Sequence, residues 1–166
     1  IFQDLTSDGI DDVIISGRSG QLLAINGLNG SLIWDYFPYS TNPSDSGVYN
    51  FYNPQFIVDV DGDSYDDILI SNGGDHAAPS FQTNRPPGHL MIVSSLTGNL
   101  IVKAVVPDSS ETYCSPIVAD IQNDGNLWVL YGTGGENLGG NFYAALLSDL
   151  LLGDLSSSIV LDSDPN

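Results

Sequence analysis

Basic residues are nearly missing from this chain. Arg18, Arg85 and Lys103 are its whole complement of Arg and Lys, against 21 Asp and Glu, for a formal net charge of −18. Neutralising phosphates takes clusters of Lys and Arg, so nucleic acid is excluded as a partner, and so is electrostatic docking on an anionic membrane. Cysteine occurs once, at Cys114, which leaves no disulfide framework within the chain. With no His or basic residue close to it in sequence, Cys114 reads as a small buried hydrophobe. No apolar run nears the roughly 18 residues of a membrane span; the longest are strand-sized and broken by Asp, Gly or Ser. Helical periodicity is scarce as well. Only residues 146–152 read as a short helix, and 18 Gly and 9 Pro punctuate the rest. Glutamate occurs twice, at Glu111 and Glu136, so 19 of the 21 acids are Asp. Asp suits turns and hard cations, and suits helices and strands poorly.

What is present is a repeat. The 166 residues are 42% hydrophobic, enough for one domain with a core. Asp4-Leu5-Thr6-Ser7-Asp8-Gly9-Ile10-Asp11-Asp12 runs into Val13-Ile14-Ile15. Asp59-Val60-Asp61-Gly62-Asp63-Ser64-Tyr65-Asp66-Asp67 runs into Ile68-Leu69-Ile70, and Asp120-Ile121-Gln122-Asn123-Asp124-Gly125-Asn126-Leu127-Trp128 into Val129-Leu130-Tyr131. The spacings, 55 and 61 residues, lie in the range of repeat arrays and propellers. A second motif follows each loop. Residues 20–34 match residues 88–102 almost position for position, and residues 140–150 form a looser copy. Each is two short apolar runs joined by a Gly/Asn/Thr turn, a hairpin pattern.

These motifs imply an all-β chain of about three four-stranded antiparallel units, the blades of a β-propeller. The expected blades are residues 1–37, 52–106 and 113–162 of one 166-residue segment, with linkers at 38–51 and 107–112. Propellers close with about 4–8 blades, so three imply a longer polypeptide or completion by neighbouring copies. Such neighbours make a homo-oligomer or a head-to-tail assembly an expected partner. The start at Ile1, without Met or a leader, also reads as a processed product or a window of a longer chain.

In the second loop, Asp59, Asp61, Asp63 and Asp67 stand at positions one, three, five and nine, with the Tyr65 carbonyl at seven. Five oxygens within nine residues suit Ca²⁺, which takes 6–8 at about 2.3–2.6 Å. Alternation past the loop turns Asp66 to solvent. The first loop offers Asp4, Thr6, Asp8, the Ile10 carbonyl and Asp12, a weaker set. The third keeps Asp120 and Asp124 but has Gln122 at three and Trp128 at nine, which argues against a cation. Asp-Gly and Asp-Ser also make tight turns with no metal at all.

The Asp-rich loops resemble FG-GAP (VCBS-type) repeats, the calcium-binding blades of integrin α-like propellers and of many secreted bacterial proteins. The stretch 20–34 is similar to the blade motif of PQQ-type quinoprotein propellers. The resemblance implies Ca²⁺ between the first two strands of a blade, at Asp59, Asp61, Asp63, Tyr65 and Asp67, then at Asp4, Thr6, Asp8, Ile10 and Asp12. Ser64 departs from the pattern where Gly is usual, and the third loop has lost its ligands. Quinone binding is not implied.

Asn29-Gly30-Ser31 is an N-glycosylation acceptor sequence, though Asn-Gly also makes a hairpin turn unaided. Ser/Thr/Pro clusters at 39–46 and 107–115 suit either O-glycans or linkers. The insert 71–87, with Asp75, His76, Phe81 and Arg85, reads as a surface loop held by Pro86-Pro87, or as a protein or carbohydrate contact. His76 and His89 lack a third ligand at zinc spacing. Trp34 and Trp128 read as blade core. No nucleophile elbow, phosphate loop or HExxH pattern occurs. The expected function is an extracellular, Ca²⁺-stabilised module for recognition, adhesion or assembly, without catalysis. The alternative is the propeller domain of a secreted carbohydrate-active or quinoprotein-like enzyme.

Overall fold

The computed structural model describes residues 1–17, 20–36, 50–73, 75, 79, 81–135 and 138–163. The 39–46 cluster and His76, noted from sequence, lie outside them, as does all but the end of the 38–51 linker. Strands β1 (Phe2–Gln3), β2 (Asp12–Ser16), β3 (Leu22–Ile25) and β4 (Leu32–Tyr36) form the first sheet. The second contains β5 (Phe51–Ile57), β6 (Asp67–Asn72), β7 (His89–Val93) and β8 (Leu100–Val105). The third contains β9 (Ile117–Ala119), β10 (Trp128–Gly132), β11 (Asn141–Leu146) and β12 (Ile159–Ser163). Spatial order follows chain order in each, and every neighbouring pair is antiparallel. The Asp-rich loop joins the first two strands of each sheet.

Successive side chains on a strand point to opposite faces, and the sheets stack by that rule. Ile14, Leu22, Ala24, Trp34 and Tyr36 of the first sheet meet Phe51, Ile68, Ile70, Met91 and Val93 of the second. The second sheet's other face, with Ile57, Leu69, Leu90 and Ile92, meets Val129, Tyr131, Tyr143 and Ala145 of the third. Strand β6 is therefore buried along its whole length. Its sequence, Ile68-Leu69-Ile70, is a continuous apolar run and not an alternation, as two covered faces require.

The seam between the first two sheets is keyed by one indole. Trp34 is buried, and its Nε1 donates to the Ser95 carbonyl at 2.8 Å across the interface. Gly98, at φ 72°, lies against the same ring; a Cβ there would fall 2.7 Å from the indole carbons. The third sheet departs from the others after β11, where α1 (Leu147–Leu151) replaces the hairpin turn. Leu147 and Leu150 of that helix fill the core between sheets two and three.

Five sequence expectations need correction. Strand β5 begins at Phe51, the last residue of the expected linker. Ser71 and Asn72 belong to β6, so the long insert begins after them. What holds that insert is Arg85, whose guanidinium donates to the carbonyls of Asp75, Pro79 and Gln82 and to Glu111 Oε1 at 3.0 Å. Segment 107–112 is no surface linker, because Glu111 and Thr112 are buried between the sheets. Trp128 is only half-buried, on the third sheet's outer face, while Cys114 packs against the core as a small hydrophobe should.

Candidate metal centre

All three Asp loops share one backbone. Positions four and six are left-handed in each: Ser7 and Gly9 (φ 57° and 84°), Gly62 and Ser64 (84° and 78°), Asn123 and Gly125 (55° and 87°). The second loop thus carries its glycine two residues earlier and leaves Ser64 in a conformation that favours glycine. The first Asp of each loop closes the turn by accepting backbone N–H groups. Asp4 takes those of Asp8 and Gly9, Asp59 those of Gly62 and Ser64 (2.7 and 2.9 Å), and Asp120 those of Asp124 and Gly125. The fifth residue repeats the device on the seventh: Asp8 accepts from Ile10, Asp63 from Tyr65, and Asp124 from Asn126, each at 2.9 Å. The donated N–H groups, from Ser64 first and Gly62 next, hold the Asp59 carboxyl below its usual range, and the Gly125 N–H does the same for Asp120. The loop shape itself is therefore supported by turn chemistry.

The ninth position separates the loops. Asp12 is fully buried and fully satisfied: Oδ2 accepts from the Leu5 and Thr6 N–H groups and Oδ1 from Gly27 at 2.9 Å. Asp67 is equally buried, but only its Oδ2 has a donor, the Val60 N–H at 2.8 Å. Its Oδ1 is enclosed without any hydrogen-bond partner. A buried carboxylate oxygen left so costs about 1–3 kcal/mol or more. Burial is the main reason the Asp67 carboxyl is pushed up to about 6, and the charges of Asp61 and Asp63 add to it.

Asp59, Asp61 and Asp67 each bring a carboxylate oxygen within 4.8 Å of the others. Among the described residues this is the one group of three or more acidic, His or Cys side chains so placed, and it could hold a metal ion. A buried carboxylate with one unpartnered oxygen, close to two more carboxylates, fits a hard cation, which would supply a partner. Asp63, also expected as a ligand, is turned toward the Tyr65 N–H and the Ser94 hydroxyl (3.2 Å). Tyr65 directs its hydroxyl to Ser7 Oγ at 3.1 Å, tying the second loop to the first. Asp66 is exposed, as alternation required.

In the first loop, Asp4, Asp8 and Asp12 form no such group, and protein donors occupy the remaining acceptors. Asn26 Nδ2 reaches Thr6 Oγ1 and Asp8 Oδ2 at 3.3 and 3.5 Å, and the exposed Ile10 contributes its N–H to Asp8. The third loop brings no group of three together either; Asp124 Oδ2 takes the Asn126 amide. Sequence reasoning missed Asn26 and Ser94, which both reach into an Asp loop. The signal was a polar residue closing the apolar run at the same place in both hairpins. Asn29 is exposed in the β3–β4 turn, its Oδ1 accepting from the Ser31 N–H. No protein-family model, curated protein or solved structure matches the chain.

Proposed function

We propose that this chain is a Ca²⁺-stabilised, β-propeller-type module of an extracellular or cell-surface protein, serving recognition, adhesion or structural assembly without catalysis. The observation that carries the reading is the buried, unpartnered Oδ1 of Asp67 beside Asp59 and Asp61. Asp59, Asp61 and Asp67 hold the cation; Asp63 and the Tyr65 carbonyl, at positions five and seven of the same loop, are the candidates to complete six to eight oxygens with water. The ion supplies charge neutralisation, and the chain supplies position: Asp67 starts β6 at the centre of the stack, while Asp59 and Asp61 come from the loop before it. Bound there, the cation clamps the β5–β6 loop onto the core and offsets part of the −18 charge. Millimolar calcium outside cells fills even weak sites of this kind, which supports the extracellular setting.

Thermal unfolding with Ca²⁺, Mg²⁺ or chelator, paired with calorimetric titration, tests the proposal. Calcium at about a hundred times Kd raises stability by about 2.7 kcal/mol. Mg²⁺ has a much smaller effect, and Asp67→Asn abolishes the calcium response. A wild-type melting curve indifferent to calcium and chelator overturns the reading.

A further inference from the structure

Asn29-Gly30-Ser31 is the one Asn-X-Ser/Thr triplet of the sequence with a residue other than Pro at its centre; Asn42-Pro43-Ser44 is disqualified by its Pro. The triplet lies in the β3–β4 turn. That turn is closed by the Asn26 N–H, which donates to the Ser31 carbonyl, and by the Gly30 N–H, which donates to the Asn26 carbonyl, both at 2.8 Å. Asn29 is held by a bond to its own backbone two residues on: Oδ1 accepts from the Ser31 N–H at 2.8 Å. The other end of the amide is unused. Neither Asn29 Nδ2 nor Ser31 Oγ has a hydrogen-bond partner among the described residues, and Asn29, Gly30 and Ser31 are all exposed.

This exposure does not depend on what stands before Ile1, because the second sheet carries the same turn with a sheet packed beside it. There Thr97 Oγ1 accepts from the Asn99 N–H, and the Gly98 N–H donates to the Ser94 carbonyl, in the places of Asn29, Ser31, Gly30 and Asn26. Gly98 is buried against Trp34 of the first sheet, yet Thr97 and Asn99 stay exposed. A further sheet covering the first in that manner would reach Gly30 and leave Asn29 and Ser31 in solvent.

We propose that Asn29 is a modification site, the acceptor of an N-linked oligosaccharide. The inference rests on the extracellular setting proposed above, since the sugar donor, an oligosaccharide carried on a lipid pyrophosphate, is met on the route out of the cell. Nδ2 forms a bond to the anomeric carbon of the first sugar. The bond from that carbon to the pyrophosphate oxygen breaks, the lipid pyrophosphate leaves with the electron pair, and Nδ2 passes one proton to a base of the transferase. Ser31 supplies the hydroxyl that such a transferase reads two residues after the acceptor. A glycan is bulky and needs open surface, and nothing lies within 4 Å of where a Cβ on Gly30 would stand. The modified turn adjoins the first Asp loop, to which Asn26 ties it through Thr6 and Asp8.

Peptide mass mapping of the protein isolated from the cells that make it tests the proposal, with N-glycosidase treatment in heavy-oxygen water. The enzyme releases the sugar and converts Asn29 to labelled Asp, which separates glycan removal from spontaneous deamidation of the Asn-Gly pair. The expected result is a glycan on Asn29 that is lost in Asn29→Gln and in Ser31→Ala and kept in Ser31→Thr. Surface or secreted protein with a bare Asn29 overturns the inference, and so does a sugar at Asn29 that survives Ser31→Ala. Protein confined to the cytosol overturns both the inference and the setting it rests on. The cation site is read apart from it, by the melting response to calcium. A bare Asn29 with that response intact overturns only this inference, and a glycosylated chain indifferent to calcium overturns only the metal reading.

Discussion

Asp67 carries opposite consequences with and without a cation. Without one, its buried Oδ1 lacks a donor and its negative charge lies beside Asp59 and Asp61. Asn at this position keeps the acceptor for the Val60 N–H and turns an amide toward the neighbouring carboxylates. Asp67→Asn is therefore expected to be more stable than the wild type in chelator, by about 1–3 kcal/mol, and less stable in calcium. Denaturant midpoints in the two buffers check this inversion; a purely structural Asp67 would give one sign in both. Ser64 makes a second case. Its φ of 78° costs a residue with a Cβ about 1–2 kcal/mol, so Ser64→Gly raises the unfolding free energy read from the same denaturant curves by up to about 1 kcal/mol once glycine's greater unfolded freedom is subtracted. The spacing of the Asp residues showed where the candidate site lies. Which loop keeps an unsatisfied oxygen was invisible, because Gly27 donates to Asp12 from a hairpin fifteen residues away while Asp67 receives nothing equivalent.

At the scale of elements, the segment after β8 binds the second and third sheets through two polar anchors. Arg85 and Glu111 form an ion pair with side chains only 8% and 2% exposed, and Arg85 gathers three carbonyls of its own loop. Removing one partner of such a pair is expected to cost about 3–5 kcal/mol because a charge stays buried alone. Arg85→Met should show that loss in urea unfolding, and Arg85→Met with Glu111→Leu should recover a good part of it. Asp108 is the other anchor. Burial opposes its ionisation, but Thr133 Oγ1 at 2.6 Å, the Ser110 N–H and Asn141 Nδ2 at 2.8 Å outweigh it and hold the carboxyl below 3.8. The ionised form is thus the one the fold prefers. The stability this contributes is complete above the unfolded-state value near 3.8 and is lost as pH falls through the lower folded value. Melting temperatures between about pH 5 and about pH 2 should fall less steeply in Asp108→Asn than in the wild type. The sequence contained little of this: a run of Pro, Asp and Ser reads as a spacer, and its buried role arises only where sheets converge on it.

For the molecule as a whole, the −18 charge spread over 166 residues is a repulsive field with almost no internal relief, since one of only three basic side chains is spent on Glu111. Sodium chloride alone, in chelator, is expected to raise the melting temperature by about 2–4 °C, the equivalent of about 1 kcal/mol, by screening that field. A melting point that ignores salt would show the charges to be already compensated. The all-β character and the four strands per repeat were legible because loop and hairpin motifs recur in fixed order. The order in which the sheets press together was not, since Ile68-Leu69-Ile70 is apolar at every residue and conceals which neighbour each side chain meets. That directional order has a hereditary consequence. Every unit presents the same front to its successor and the same back to its predecessor, so an in-frame duplication or excision of one unit joins surfaces that already fit. The gene can lengthen or shorten the array in whole steps without inventing a new contact.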